Sequence, residues 1–142
     1  MASRILAADV AVGDELPGQA FPLRRVDLVR YAGASGDFNV IHWNERVATS
    51  VGLPNVIAHG MLTMAEAARV VTDWVGDPGA LREYGVRFTK PVPVPDDDTG
   101  ATLDVAGKVI ELLDVNQVRV ELTATCDGVK VLGMARAVVQ LS

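Results

Sequence analysis

Between Met61 and Val75 the chain is apolar at almost every position. Thr63, Glu66, Arg69 and Asp73 interrupt it, with Thr72 nearby, and those first four fall on one narrow stripe at helical spacing. The remaining residues cover most of the circumference, so this segment reads as a helix enclosed by other structure. Ala65, Ala67 and Ala68 imply close approach to whatever encloses it. The second half alternates instead. Val118, Val120, Leu122, Ala124 and Cys126 face one way, and Gln117, Arg119, Glu121, Thr123 and Thr125 face the other. Asp127-Gly128 is a two-residue hairpin signal, after which Val129 to Leu141 returns as a strand. Tyr84, Val86 and Phe88 mark an earlier strand, and Ala101 to Leu113 another, irregular near Gly107.

The first half carries shorter elements. Gln19 to Leu23 reads as a short strand and Val26 to Ala34 as a helix, with Gly36 where a left-handed cap belongs. Asp37 to His42 is then a loop, and Asn44 to Val51 a second helix ended by Gly52-Leu53-Pro54. Helices followed by an antiparallel sheet predict an α+β fold. A long sheet curling around one buried helix is the economical packing. No repeat or linker is visible, so residues 1–142 are expected to form one domain.

Composition narrows the class. Apolar residues make up 49% of the chain and charged ones 22%, which excludes disorder. A formal charge of −5 argues against nucleic-acid binding, although Arg24, Arg25, Arg82, Arg87 and Lys90 form a basic patch if they gather on one surface. Cys126 is alone, which favours a reducing compartment. The opening, Met1 to Val10, resembles a weak signal peptide but is broken by Asp9 and is too short to span a bilayer. A soluble cytoplasmic protein with no membrane partner is expected.

Candidate chemistry is concentrated. The chain has two histidines, His42 and His59, and Asp37 lies five residues before the first of them. An imidazole beside a carboxylate suits general acid–base work, whereas the plain alternative makes Asp37 an Asx turn and His42 a packing residue. Asn39, between them, is placed to fix the loop. Gly60 opens the apolar helix, where an amide without an intrahelical acceptor suits a developing oxyanion; equally, it permits a tight helix entry. His59 reads as a structural histidine bonded to backbone. A metal set of Asp37, His42 and His59 is disfavoured because no compact ligand pair is present. No metal or cofactor is expected. Ser35 and Cys126 lack the setting of a nucleophile, and Asp96-Asp97-Asp98 reads as a solvated loop.

The ordered stretch Tyr31-Ala32-Gly33-Ala34-Ser35-Gly36-Asp37-Phe38-Asn39-Val40-Ile41-His42, followed by Ile57-Ala58-His59-Gly60-Met61-Leu62, resembles the hydratase motif of the MaoC-like (R)-specific enoyl hydratases and 3-hydroxyacyl dehydratases. The likeness continues through Trp74 to Ala80 and Val86 to Pro95. Across nearly the whole chain it is similar to catalytic subunits of heterodimeric 3-hydroxyacyl-ACP dehydratases of mycolic-acid-type elongation. The resemblance implies a single hotdog fold, Asp37 and His42 as the catalytic pair, Asn39 as their support and Gly60 as donor to the thioester carbonyl. It implies an acyl thioester substrate, on acyl carrier protein or CoA, and a homodimer or a heterodimer with another hotdog subunit. Valine at position 40, where the family often has proline, departs from the motif without removing a catalytic group. Two other readings stand beside it: a non-catalytic acyl-binding subunit, and a hotdog thioesterase using Glu66.

Overall fold

The computed structural model describes residues 5–142. Its elements are β1 (Glu15–Leu23), α1 (Arg25–Ser35), α2 (Glu45–Ser50), α3 (Gly60–Val75), β2 (Leu81–Phe88), β3 (Ala101–Leu113), β4 (Gln117–Cys126), β5 (Val129–Lys130) and β6 (Leu132–Gln140). The strands form one antiparallel sheet in the order β1-β3-β4-β6-β2, with β5 paired to β4. The sheet wraps α3, which packs against β1, β2, β3, β4 and β6. This is the hotdog arrangement that the resemblance implies.

Two periodicities build it. Ala101, Leu103, Val105 and Val109 of β3 turn inward, as do Val118, Val120, Leu122, Ala124 and Cys126 of β4. Against that face lie Ala67, Val70, Val71 and Val75 of α3. Ala67 is fully buried, so the small side chain sets how closely the helix approaches the strands. The Tyr84 hydroxyl of β2 donates to the Met64 carbonyl at 2.8 Å, tying the outermost strand to the helix. Burial pushes the Tyr84 phenol up to about 12, which keeps it a donor.

The chain departs from the sequence pattern in instructive places. The first strand begins at Glu15, four residues before the expected Gln19; its alternation is hidden by a bulge between Leu16 and Gln19. That bulge lies opposite Gly107 to Val105, and β3 itself shifts register against β4 between Val109 and Glu111, close to the irregularity expected near Gly107. The return strand from Val129 is split. Thr125 pairs with Lys130 but Leu122 pairs with Ala135, so the returning chain carries two extra residues there, including Met134 at φ 46°. Asp127-Gly128 makes the expected turn, with both residues at positive φ.

On α3 the stripe exposed to solvent is Met61, Ala65, Arg69 and Asp73. Thr63, expected on the polar stripe, is buried instead, and Met61, expected inside, is 57% exposed. The sheet reaches closer on the Thr63 side than the polarity of the helix alone conveys. Arg69 and Asp73 are nevertheless placed by contacts to β1: the guanidinium lies over the Phe21 ring, 4.8 Å from its centroid, and Asp73 accepts from Gln19 at 3.0 Å. Of the residues that could make a basic patch, Arg24 and Arg25 are engaged locally. Arg24 lies beside Asp27, and Arg25 donates to the Val94 carbonyl and to Asn55.

No described helix is long and apolar enough to cross a membrane. Part of the opening that resembles a signal peptide lies outside the described residues; within it, Ala7–Asp9 form a 3₁₀ turn. Replacing Ala67 with leucine is expected to destabilise the fold by about 1–3 kcal/mol through overpacking, read as a lowered Tm at unchanged secondary-structure content.

Candidate acid–base site

The site begins where α1 ends. Gly36, at φ 77°, closes that helix in the left-handed conformation and turns the chain toward the sheet. Side chains then brace the loop locally. The Asp37 amide donates to Ser35 Oγ at 3.2 Å, and the Asn39 amide to Asp37 Oδ1 at 3.1 Å. Asn39 Oδ1 accepts from the Ile41 amide at 3.2 Å, capping a 3₁₀ turn over Val40–His42. Val40 is the first residue of that turn, where an N–H has no intraturn acceptor, so a missing proline leaves the turn intact. Asn39 therefore supports the loop, and its carbonyl accepts from the His42 amide at 3.1 Å, while its side chain is spent on the Ile41 amide.

Two histidines then join this loop to the entrance of α3, each donating to a carbonyl of the other's segment. His42 Nδ1 lies 2.7 Å from the Ile57 carbonyl oxygen, and His59 Nε2 lies 3.1 Å from the Asp37 carbonyl oxygen. Between them the Ile57 amide donates to the Ile41 carbonyl at 3.2 Å. A carbonyl only accepts, so each of those ring nitrogens carries a hydrogen. In neutral His42 the remaining nitrogen, Nε2, is therefore an unshared pair. It stands 3.9 Å from Asp37 Oδ2, within ion-pair range and outside direct hydrogen bonding. The imidazoles stack, with centroids 3.9 Å apart and planes 23° from parallel, and Tyr31 meets His59 edge-on at 4.7 Å.

Beside this pair is a largely apolar cavity of about 320 Å³. His42, Gly60 and Thr63 line it together with Ile57, Ala58, Phe88, Val92 and Leu132, among others. The Gly60 N–H, at the first position of α3, has no acceptor in the described chain. A Cβ added at Gly60 would meet the Phe88 ring at 3.1–3.2 Å, so glycine here permits close approach. Asp37 is not itself a lining residue. Half exposed, its carboxylate is linked to the cavity through His42.

Other candidates fall elsewhere. Glu66 pairs with Arg69 at 2.8 Å and does not line the cavity. Cys126 is buried at the end of β4, where burial and the nearby Asp127 and Asp104 push its thiol up, away from a reactive thiolate. The Ser35 hydroxyl accepts from the Asp37 backbone. Asp97 caps its own loop through the Thr99 and Gly100 amides. One atom from each of Asp37, His42 and His59 lies within 4.8 Å of the others. As folded, though, one nitrogen of each histidine already holds a carbonyl. Sequence reasoning missed Phe88, Thr63 and Tyr31 as parts of the site. Tyr31 lies inside the recognised motif and Phe88 inside the Val86 to Pro95 stretch of the likeness, whereas Thr63 carries no local signal.

His59 is only 1% exposed, and its Nδ1 has no hydrogen-bond partner. Burial holds its proton affinity below the ordinary 6.5, against the bond to the Asp37 backbone, which raises it; the neighbouring His42 lowers it further. Below about pH 6.5 the unfolded chain takes up a proton at this position that the folded chain refuses, so folding weakens as pH falls and is unaffected above. Thermal unfolding followed from neutral pH downward is expected to show this loss, and His59→Gln is expected to flatten it.

Relatives sharpen what this geometry means. The MaoC like domain family matches residues 9–126. Over 83 residues, 57% of this chain and 29% of the relative, the sequence is 43% identical to 3-hydroxyacyl-thioester dehydratase X of Mycobacterium tuberculosis. It is 36% identical over 86 residues to the (R)-specific enoyl-CoA hydratase of Rhodospirillum rubrum, covering 60% of this chain and 59% of that one. A solved MaoC-like dehydratase superposes with a TM-score of 0.93 at 45% identity, covering 96% of this chain and 42% of the other. The chain thus spans less than two thirds of the length of these curated relatives. With most of its length matched and its fold superposing so closely, the chain belongs to the MaoC-like domain family.

Proposed function

We propose that this chain catalyses the reversible loss of water between (R)-3-hydroxyacyl and trans-2-enoyl thioesters. The observation that carries the reading is the orientation of His42. With Nδ1–H held by the Ile57 carbonyl, Nε2 presents its unshared pair beside Asp37 Oδ2, at a cavity that also holds the free Gly60 N–H. The names of the relatives, a 3-hydroxyacyl-thioester dehydratase and an (R)-specific enoyl-CoA hydratase, supply the substrate class and its two directions.

The chemistry follows from where the proton resides. In dehydration His42 Nε2 removes the C2 proton while the Asp37 carboxyl gives its proton to the C3 hydroxyl, which departs as water. Charge that gathers on the thioester oxygen is met by the Gly60 amide at the positive end of α3. The pair finishes as imidazolium and carboxylate, which is the starting state for hydration, and return of that proton from imidazolium to carboxylate, once the side chains close up from 3.9 Å, resets it. Asn39 supports the loop and His59 the entrance of α3.

The thioester is carried on CoA or acyl carrier protein. The reading also includes a single domain over 1–142, a reducing cytoplasm suited to the unpaired Cys126, and association with a second hotdog subunit, identical or different. Supporting association, β2 lies at one edge of the sheet, and Phe38, Trp43, Met61 and Phe88 are large, apolar and more than half exposed. A dimer mass in solution, for the chain alone or with a second subunit, is the expected result; a monomer under both conditions removes that part.

Hydration of a trans-2-enoyl thioester, followed by loss of enoyl absorbance with chiral identification of the product, tests the activity. Asp37→Asn and His42→Ala are each expected to lower kcat by about 10²–10⁴-fold while leaving the fold unchanged. Near-normal rates in both variants overturn the assignment. Release of free thiol and acid, in place of the hydroxyacyl product, marks a thioesterase. Gly60→Ala is expected to fold, because the position is helical, yet to displace Phe88 and lower kcat by about 100-fold through misplacement of the carbonyl.

A further inference from the structure

His59 occupies the cap position of α3 but makes no side-chain capping bond, and the proposed chemistry gives it no proton to move. Its bond goes instead to the Asp37 carbonyl, twenty-two residues back along the chain. The other bonds that brace Asp37 are local: its amide donates to Ser35 and its Oδ1 accepts from the Asn39 amide. They shape the loop without fixing where the loop stands relative to the helix. His42 and Ile41 tie the far end of the loop to Ile57, and His59 makes the connection at Asp37 itself; the next residue along the chain is Gly60.

We infer that His59 is a positioning residue, whose Nε2–H sets the Asp37 carboxylate in register with both His42 Nε2 and the Gly60 amide. The inference rests on the hydratase reading of the site. The groups facing His59 come from three places: Tyr31 of α1 at its edge, His42 of the 3₁₀ turn on its face, and Asp37 of the loop at Nε2. Tyr31 and His42 pack on the ring, and Asp37 presents its carbonyl oxygen. Protonation at Nδ1 would place a second N–H where no acceptor stands, against a stacked imidazole. The ring is therefore a neutral donor with one tautomer, and its burial supports the same state.

Packing alone and positioning differ in what can replace the ring. Glutamine places an N–H near the location of imidazole Nε2, whereas leucine fills similar space with no donor. In the enoyl hydration assay, His59→Leu is expected to lower kcat about 100-fold with KM changed only a few-fold, and His59→Gln to recover at least about tenfold of that loss. Where His59→Leu does not fold, as judged by Tm and near-UV dichroism, His59→Asn, whose donor falls one bond short, replaces it in the comparison. Equal kcat for the glutamine variant and its donor-free or short counterpart overturns the inference, as does a loss confined to KM. Nitrogen-15 shifts of the wild-type imidazoles provide a second readout. A neutral His59 carrying Nε2–H at neutral pH supports it; Nδ1–H or an imidazolium near neutral pH overturns it. An inactive wild type with the Nε2–H tautomer present sinks the hydratase reading and, with it, the positioning role, while the histidine bond stands.

Discussion

The reciprocal exchange between the two histidine rings and the two backbone segments is the constraint on which this site depends. His42 holds the Ile57 carbonyl and His59 holds the Asp37 carbonyl, with the Ile57 amide on Ile41 between them. Each bond fixes a tautomer as well as a position. Were the His42 hydrogen on Nε2, its unshared pair would point at the Ile57 carbonyl and the carboxylate would face a donor. The same side chains would then be present without a base directed at the cavity. Two segments distant along the chain are thereby joined into one support for the proton transfer proposed above.

That support is useful only because of what α3 brings to it. The helix is the core around which the sheet closes, so its first turn is fixed by the burial of its later ones. Its leading amide is accordingly held against the same cavity wall as His42, and the glycine at that position lets a ligand or the Phe88 ring come close. Core packing and chemistry are coupled here. Anything that shifts Ala67 against the strands also shifts the amide at the mouth of the cavity. The apolar lining acts in the same direction, because excluding water strengthens each of the few polar contacts inside.

What surrounds the cavity is less enclosed than its floor. Phe38, Trp43, Met61 and Phe88 expose large apolar surface, and β2 leaves one side of its backbone ladder unpaired at the sheet edge. In the proposed assembly, burial of these groups by another subunit would satisfy both the hydrophobic surface and the strand edge. It would also change the environment of Phe88, whose ring already packs over Gly60. Association and the shape of the cavity would then be linked through one aromatic side chain.

Much of this was readable along the chain. The cap at Gly36, the long apolar helix, the alternation of β4 and the Asp127-Gly128 turn are local patterns, set by dihedral preference and side-chain period. The ordered Tyr31–His42 and Ile57–Leu62 stretches pointed to the same residues that the fold assembles. Other features were not local. The bulge at Pro17-Gly18 hid the start of β1, and the burial of Thr63 with exposure of Met61 depends on how far the sheet wraps the helix. Phe88 over Gly60 joins a strand end to a helix start, and no spacing along the chain encodes that meeting. The sequence by itself determined which groups were available and which elements would carry them, because period and capping act over a few residues. Only the tertiary structure decided which nitrogen of each histidine is free and which walls enclose it, because those depend on bonds between segments that meet only when the sheet closes around α3.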